Sequence, residues 1–309
     1  MTDRSAAARR LAAWLLLGAA FAALPAAAQT KINIGYVTAS DFAPAFIAKD
    51  KGFFEKHGLD ATLTRIALAP NVAGAIVAGE LQIGMSTGPI LVQASANGLD
   101  LVAVAGASRF LKQNPIVSLV GRTGEQIGAP ADLRGKKVGV PGLRSLLHVL
   151  FERWLQLNSV PLNQVQMVEV PFPQMKDLLA AGTIDAAIAI EPVRSRILSD
   201  KTGFKVADFT GDVAPDILAA FWIASRQWAG RNAQAVQGFR DGIKDAIAFA
   251  RQNPAEAKAI ETKYLGFSSP VVPSYAVEVS RADFEFLGKL SLDLNLIRSP
   301  VDVDKLMWQ

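Results

Sequence analysis

The sequence predicts an α/β fold built from two lobes, and three observations support this prediction. Segments with strand character alternate with helical segments, which is typical of sheets covered by helices. Two segments, residues 31–41 and 136–145, share one design: a strand that runs through a small-residue turn into the start of a helix. Two apolar runs, residues 116–120 and 218–224, are expected to carry the chain between the lobes. We therefore expect two mainly parallel sheets, flanked by helices and joined at two hinge crossings.

The individual elements follow from local signals read in chain order. Runs of β-branched and apolar residues indicate strands. Gly58, Gly79 and Gly98 are typical of the left-handed residue that ends a helix. The apolar spacing of the last three helices is that of amphipathic helices packed on a lobe. Strands are predicted at 32–37, 61–66, 82–85, 101–105, 116–120, 136–140, 165–168, 186–190 and 218–224, and helices at 43–56, 72–78, 89–96, 146–157, 173–181, 192–198, 235–251, 255–264 and 281–290.

The N-terminal residues are typical of a secretory signal. Arg9 and Arg10 precede the apolar run Leu11–Leu24, and small residues lie just before Gln29. The apolar run is too short to predict a membrane span. The chain has no cysteine, which excludes both a disulfide framework and a lipid anchor on cysteine. We expect an exported protein that diffuses freely in the periplasm. The predicted division is a signal peptide over 1–28, a first lobe over 29–118, a second lobe over 119–221, and a return to the first lobe over 222–309.

Composition and motifs argue for binding rather than catalysis. The formal net charge of the 309-residue chain is +4, and basic residues are scattered among acidic ones, so we expect no nucleic-acid partner. The sequence lacks the serine nucleophile elbow, the zinc-protease motif and the phosphate-binding loop. His57 and His148 are the only two histidines, which disfavours a metal site. We expect no enzyme activity, no cofactor and no metal.

Four segments follow one another in a distinctive order: Ala43–Leu59, Val77–Gly84 with Ser86-Thr87, Ala131–Val140, and Ala180–Ala187 followed by Glu191-Pro192. Taken in this order, they resemble the nitrate/sulfonate/taurine-type substrate-binding proteins of ABC importers. Binders of thiamine pyrimidine precursors share the same pattern. Gln82 stands where that family usually has aspartate. The resemblance covers roughly residues 31–265, and it implies the type II periplasmic-binding-protein fold, in which two lobes close on a ligand.

The resemblance also implies a function. We expect the extracytoplasmic component of an ABC transporter, a monomer that captures a small organic anion and delivers it to a permease in the inner membrane. A sulfonate such as taurine or an alkanesulfonate is the leading class, and an aromatic carboxylate or sulfonate is its rival. The alternatives are a binder of a pyrimidine thiamine precursor and a secreted ligand-sensing domain. The related pyrimidine synthases have a cysteine-rich iron motif, which this chain lacks.

Four candidate ligand contacts follow the first predicted strand. Thr38 and Ser40 offer hydroxyls, and Phe42 offers an apolar surface. Asp41 is a candidate contact and also a candidate cap for the next helix. The family resemblance supports contacts in this region.

Two further groups lie at predicted helix starts. The first contains Ser86 and Thr87, whose hydroxyls fit either a helix cap or a bound anion. The second is the turn at Gly142. There Arg144 fits either a clamp on an acidic group or a solvated side chain. Ser145 and His148 share a helix face and match the family pattern.

The remaining candidates lie on or near strands. Glu191 follows a strand at the end where open α/β sheets bind ligands, but it could instead pair with Arg194. Arg109 is expected just after a strand, beside Phe110, and Trp222 is expected on the second hinge strand. Each of these fits either the cleft or the packed core.

Overall fold

The computed structural model describes residues 29–308, so the predicted signal peptide and cleavage site lie outside the described residues. The strands are β1 (Thr30–Tyr36), β2 (Leu59–Arg65), β3 (Ile83–Ser86), β4 (Leu101–Leu111), β5 (Val117–Arg122), β6 (Lys137–Val140), β7 (Gln166–Glu169), β8 (Ala186–Ile190), β9 (Gly203–Ala207), β10 (Asp216–Ser225) and β11 (Ser274–Tyr275).

The α-helices are α1 (Ala43–Asp50), α2 (Phe53–Lys56), α3 (Asn71–Val77), α4 (Gly88–Ala96), α5 (Leu146–Leu157), α6 (Met175–Ala180), α7 (Val193–Ser199), α8 (Thr210–Val213), α9 (Arg226–Arg231), α10 (Ala233–Gln252), α11 (Pro254–Leu265) and α12 (Arg281–Asp293). Short 3-10 helices cover Ser40–Phe42, Pro130–Leu133, Leu162–Gln164, Phe172–Gln174 and Val303–Leu306. None of the described helices is both long and apolar enough to cross a membrane.

The strands form two sheets, and each sheet belongs to one lobe. The first sheet has six strands in the order β11-β4-β10-β3-β1-β2, and the second has five in the order β7-β6-β8-β5-β9. In the first sheet β1 pairs in parallel with β2 and β3, while β10 and β11 pair antiparallel with their neighbours. In the second sheet β6 is parallel to β7 and β8, while β5 is antiparallel to β8 and β9. The two-sheet α/β fold is confirmed, but both sheets are mixed rather than mainly parallel.

The crossings between the sheets lie beside the predicted ones. The predicted run 116–120 lies almost entirely in β5, inside the second sheet, and 218–224 lies in β10, inside the first. The chain therefore crosses at 112–116 and 208–215, and the predicted boundaries at 118 and 221 fall within strands. The apolar runs do not mark the crossings, because apolar residues indicate that a segment is buried. Both runs lie in strands that are almost entirely buried within a sheet. The two crossings touch, since the Lys112 N–H donates to the Pro215 carbonyl at 2.9 Å.

The C-terminal helices pack on the first lobe. Helices α10 and α11 lie against α1, and α12 lies against α4. Aromatic side chains fill this interface: the Phe54 ring stacks on Phe239 with centroids 5.5 Å apart, and Phe53 meets Phe249 edge-on at 5.9 Å. Phe53 and Phe54 are therefore part of the packed core of the first lobe.

Candidate ligand-binding site between the two sheets

A cavity lies between the lobes, at the ends of strands from both sheets. About 500 Å³ of space free of protein atoms lies within it, and part of this space is open to solvent. Its walls are mostly alanine, aromatic and aliphatic side chains, and its polar side chains are Asp41, Thr87 and Ser145. A mainly apolar cleft with a few polar groups is typical of a site for a small organic molecule. The lining residues are Val37, Ala39, Asp41, Phe42, Ala67, Ala69, Met85, Thr87, Phe110, Pro141, Ser145, Leu146, Leu147, Phe172, Ile190, Ala219 and Ala220.

Asp41 is buried in the cavity wall. It lies inside the short 3-10 helix that precedes α1, so it does not cap α1, whose N-cap is Phe42. Its Oδ1 accepts a hydrogen bond from the Ser108 hydroxyl on β4. Burial raises the pKa of Asp41 to about 6, and the Ser108 hydrogen bond only partly offsets this effect. The sequence-based alternative of a helix cap is therefore wrong.

Two helix starts meet at the cavity, one from each lobe. Thr87 is the N-cap of α4 and Ser145 is the N-cap of α5. The Thr87 hydroxyl accepts a hydrogen bond from the Leu146 N–H at 3.3 Å, so the two lobes touch there. The Ser145 hydroxyl donates to the Gly142 carbonyl at 2.7 Å. Both hydroxyls lie in the cavity wall, where Thr87 can still donate its proton and Ser145 can only accept a hydrogen bond.

Arg144 lies outside the cavity and joins the lobes. Its Nη2 donates to the Leu296 carbonyl at 2.8 Å, and its backbone carbonyl accepts from Gln93 Nε2 at 3.0 Å. Its φ of 63° is in the left-handed region, which is uncommon for a non-glycine residue. At Gly142, a Cβ would lie 3.0 Å from Pro70 Cδ, so glycine lets this turn approach the first lobe closely. The Arg144 guanidinium, a candidate to bind an acidic group of the ligand, therefore binds the Leu296 carbonyl of the protein instead.

His148 supports that turn from within α5. Its Nδ1 accepts the Arg144 N–H at 3.0 Å, and its Nε2 lies 3.5 Å from Glu152. Burial, with a smaller contribution from the Arg144 charge, lowers the pKa of His148 to about 4. The ring is therefore neutral at physiological pH, as an acceptor at Nδ1 requires. His148 is not among the residues that line the cavity.

Two other charged candidates are engaged in ion pairs. Arg109 lies on β4 rather than after it, and its guanidinium bonds Asp216 at 2.6 Å and Asp283 at 2.8 Å. Glu191 is fully buried, and its Oε1 accepts from Arg194 Nε at 2.7 Å. The alternative pairing with Arg194 is thus what the structure shows. Neither Arg109 nor Glu191 lines the cavity.

Several other candidates lie behind the cavity wall. Trp222 is buried between the Phe42 and Phe239 rings, with centroids 5.2 and 5.4 Å away, so it supports Phe42 from behind. The Ser40 hydroxyl donates to Glu261, away from the cavity. Thr38, Ser86 and Gly142 are buried but are not among the lining residues. The structure therefore brings Asp41, Phe42, Thr87 and Ser145 into one wall, and it places the other candidates elsewhere.

Most of the wall consists of apolar residues that were not candidates. Phe172 begins a 3-10 helix in the second lobe, while Ala219 and Ala220 lie on β10 of the first. Ala67 is exposed and marks where the cavity reaches solvent. One signal in the sequence could have found part of this wall, because a small residue just after a predicted strand leaves room for a ligand, as Ala67 does here.

Comparison with known proteins agrees with this architecture. The family model described as NMT1/THI5 like matches residues 39–257. The nitrate/nitrite binding protein NrtA of Nostoc sp. is 25% identical over 246 residues, which are 72% of this chain and 54% of that relative. The chain thus spans about half the length of that relative.

Two solved structures share the fold over nearly the whole described chain. The periplasmic aliphatic sulphonate binding protein SsuA from Escherichia coli has a TM-score of 0.74 and 21% identity, and the match covers 91% of this chain and 98% of that one. The alkanesulfonate-binding protein SsuA from Xanthomonas axonopodis pv. citri, bound to MOPS, has a TM-score of 0.78 and 20% identity, with 92% and 99% covered. At these identities the likeness establishes the fold alone. The family match spans more than half of the chain, so the protein belongs to the NMT1/THI5-like family and has the two-lobed fold of periplasmic binding proteins.

Proposed function

We propose that this protein is the extracytoplasmic solute-binding component of an ABC importer. The observation that carries the proposal is the cavity between the lobes, whose wall is assembled from both sheets. A ligand that touches both lobes stabilises the closed arrangement over the open one, and a permease can recognise that difference. The periplasm, the monomeric state and the permease partner are parts of this proposal, and the predicted signal peptide supports the location.

The ligand is a small organic molecule. The family resemblance implies an organic anion, and the relatives named above bind nitrate or sulfonates. Thr87 offers its hydroxyl proton to an acidic group, and the starts of α4 and α5 add a favourable helix dipole. The arginines expected to assist have other partners, since Arg109 bonds two aspartates and Arg144 bonds the opposite lobe. Sulfonates and aromatic carboxylates are therefore one class to test, beside pyrimidines and inorganic anions.

The first experiment is a thermal-shift screen of residues 29–309 after unfolding and dialysis, which remove any ligand that copurified. A ligand at a hundredfold excess over its dissociation constant adds about 2.7 kcal/mol to the free energy of unfolding. We expect one chemical class to raise the melting temperature and to reduce the radius of gyration in small-angle X-ray scattering. If no compound binds or closes the lobes, the proposed function is wrong.

A matched pair of variants connects this binding to the cavity. Ala219→Leu adds a larger side chain at the cavity wall, and Ala78→Leu makes the same change on an exposed helix end. We expect Ala219→Leu to abolish the thermal shift and Ala78→Leu to preserve it. A shift that survives in both variants would place the ligand elsewhere.

A further inference from the structure

Asp41 is the only ionisable side chain among the residues that line the cavity. It is 2% exposed, and Ser108 satisfies only its Oδ1. Its Oδ2 is buried and has no hydrogen-bond partner among the described residues. A buried acceptor left without a partner costs free energy, so its presence in a ligand-sized space indicates that a ligand completes it.

The described groups around Asp41 supply no positive charge. Ser108 is its neutral hydrogen-bond partner. Tyr275 lies close enough to Asp41 and to Glu261 to sense the negative charge of each carboxylate. Burial, reinforced by Glu261 and Asp41, raises the pKa of Tyr275, which therefore stays neutral. Asp41, with a pKa of about 6, is mostly ionised at neutral pH. The cavity thus carries a negative charge that no described cation balances.

The rest of the wall indicates the shape of the molecule that this charge would hold. Phe42, Phe110 and Phe172 present aromatic surface from both lobes, and Leu147 and Ile190 add aliphatic surface. A purely inorganic ion would leave these surfaces without contacts. An organic group of about the size of a single ring would contact these surfaces and shield them from water.

We propose that the ligand carries a protonated nitrogen, an amine or an amidine, which donates a hydrogen bond to Asp41 Oδ2 while its compact apolar body packs among the three phenylalanines. This inference rests on the proposed function and names the chemical class of its ligand. It differs from the anion class that the sequence implies, because a negatively charged group placed at Asp41 would be repelled. Only a donor satisfies the free oxygen.

The test compares probes that share a phenyl ring and differ in charge: benzylamine, benzamidine, benzyl alcohol, benzoate and benzenesulfonate. Isothermal titration calorimetry at neutral pH measures each with the dialysed, refolded protein. We expect benzylamine or benzamidine to bind at least about tenfold more tightly than benzyl alcohol, which is the effect of one hydrogen bond between charged groups. Benzoate and benzenesulfonate are expected to bind more weakly than the alcohol.

Two variants assign the preference to a residue. Asp41→Asn keeps the shape and the Ser108 contact but removes the charge, and we expect it to lose the preference for the cationic probes. Asp60→Asn makes the same change on the exposed face of β2, and we expect it to keep the preference. If Asp41→Asn does not fold, the wild-type protein provides a second readout. Its affinity for benzylamine should fall as the pH drops below about 6, while its affinity for benzyl alcohol should not.

Three results would overturn the inference: tighter binding of an anionic probe than of the cationic ones, an unchanged preference in Asp41→Asn, or equal affinity for the amine and the alcohol. The first two leave the proposed function intact, because a ligand still binds the cavity. Absence of binding by every probe here and every compound in the broader screen would remove both proposals together.

Discussion

Arg144 of the second lobe and Gln93 of the first lobe bond each other twice. Arg144 Nε donates to Gln93 Oε1 at 2.5 Å, and Gln93 Nε2 donates to the Arg144 carbonyl at 3.0 Å. Neither residue is among those that line the cavity. The pair therefore holds the lobes together without touching the space for a ligand, and its removal should change closure more than recognition.

We predict that Arg144→Ala weakens ligand binding about fivefold, mainly by faster dissociation. The contact is exposed, so its contribution is about 1 kcal/mol rather than that of a buried clamp. Stopped-flow dissociation measures the rate, and small-angle X-ray scattering measures the open fraction. Arg134→Ala, an exposed arginine of the same lobe, should change neither. Gln93→Ala should cost less in the Arg144→Ala background than in the wild type, because only the bond from Gln93 to the backbone carbonyl at position 144 then remains to be lost. Fully additive effects of the two changes would contradict the coupling.

We predict that Arg194→Met lowers the free energy of unfolding by about 3–5 kcal/mol. Glu191 is fully buried, and removal of Arg194 leaves its carboxylate without the cation that compensates it. Urea unfolding at neutral pH measures the loss. Arg231→Met, on an exposed helix end, should change stability by less than about 0.5 kcal/mol. The double change Glu191→Gln with Arg194→Met should recover part of the loss, and a double variant as unstable as Arg194→Met would argue against this account.

We predict that Asp41→Asn stabilises the ligand-free protein above about pH 6. The folded pKa of about 6 lies above the ordinary value of 3.8, so the folded chain binds the proton more tightly. The contribution of Asp41 to the stability of the wild type therefore falls as the pH rises from about 4 to 6, and this loss reaches about 3 kcal/mol. Urea midpoints of wild type and variant should coincide near pH 4 and diverge at neutral pH. A constant difference across that range would show that Asp41 does not titrate as stated.

We predict the opposite pH dependence for His148→Gln. The folded pKa of about 4 lies below the ordinary 6.5, so the unfolded chain binds the proton more tightly. The contribution of His148 to the stability of the wild type therefore falls by about 3 kcal/mol as the pH drops from about 6.5 to 4, and the variant lacks this contribution. Because the Asp41 and His148 contributions have opposite signs over an overlapping range, the wild type alone should show little net change. The two variants should separate them, and parallel curves for both would refute the assignment.

The fold class was predictable because it depends on patterns within short segments. Strands such as Ala186–Ile190 and helices such as Leu146–Leu157 lie within a residue of their predicted bounds, since burial and periodicity mark both kinds of element. Strand direction and the crossing points were not predictable from apolar character. An antiparallel strand such as β5 is as buried as a parallel one, so the two look alike in the sequence.

The site was only partly predictable, for a different reason. Asp41, Phe42, Thr87 and Ser145 lie at ends of elements, where a general rule places ligands. Arg109 met the same rule, yet its charge is satisfied by Asp216 and Asp283, which come from distant parts of the sequence. A polar side chain is available to a ligand only if no distant part of the chain pairs with it in the folded structure. A single sequence does not show these long-range pairings.

The Ser108 hydroxyl, which binds Asp41, lies on β4, and β4 leads within a few residues to the contact between Lys112 and Pro215. Asp41, which we propose binds the ligand, is thus hydrogen-bonded to the strand that ends at the crossing between the lobes. Under the proposed function, the lobes would rotate about these crossings, and a small shift beside them would become a large shift at the far edge of each lobe. That outer surface, rather than the cavity, would then report to a permease whether a ligand is bound.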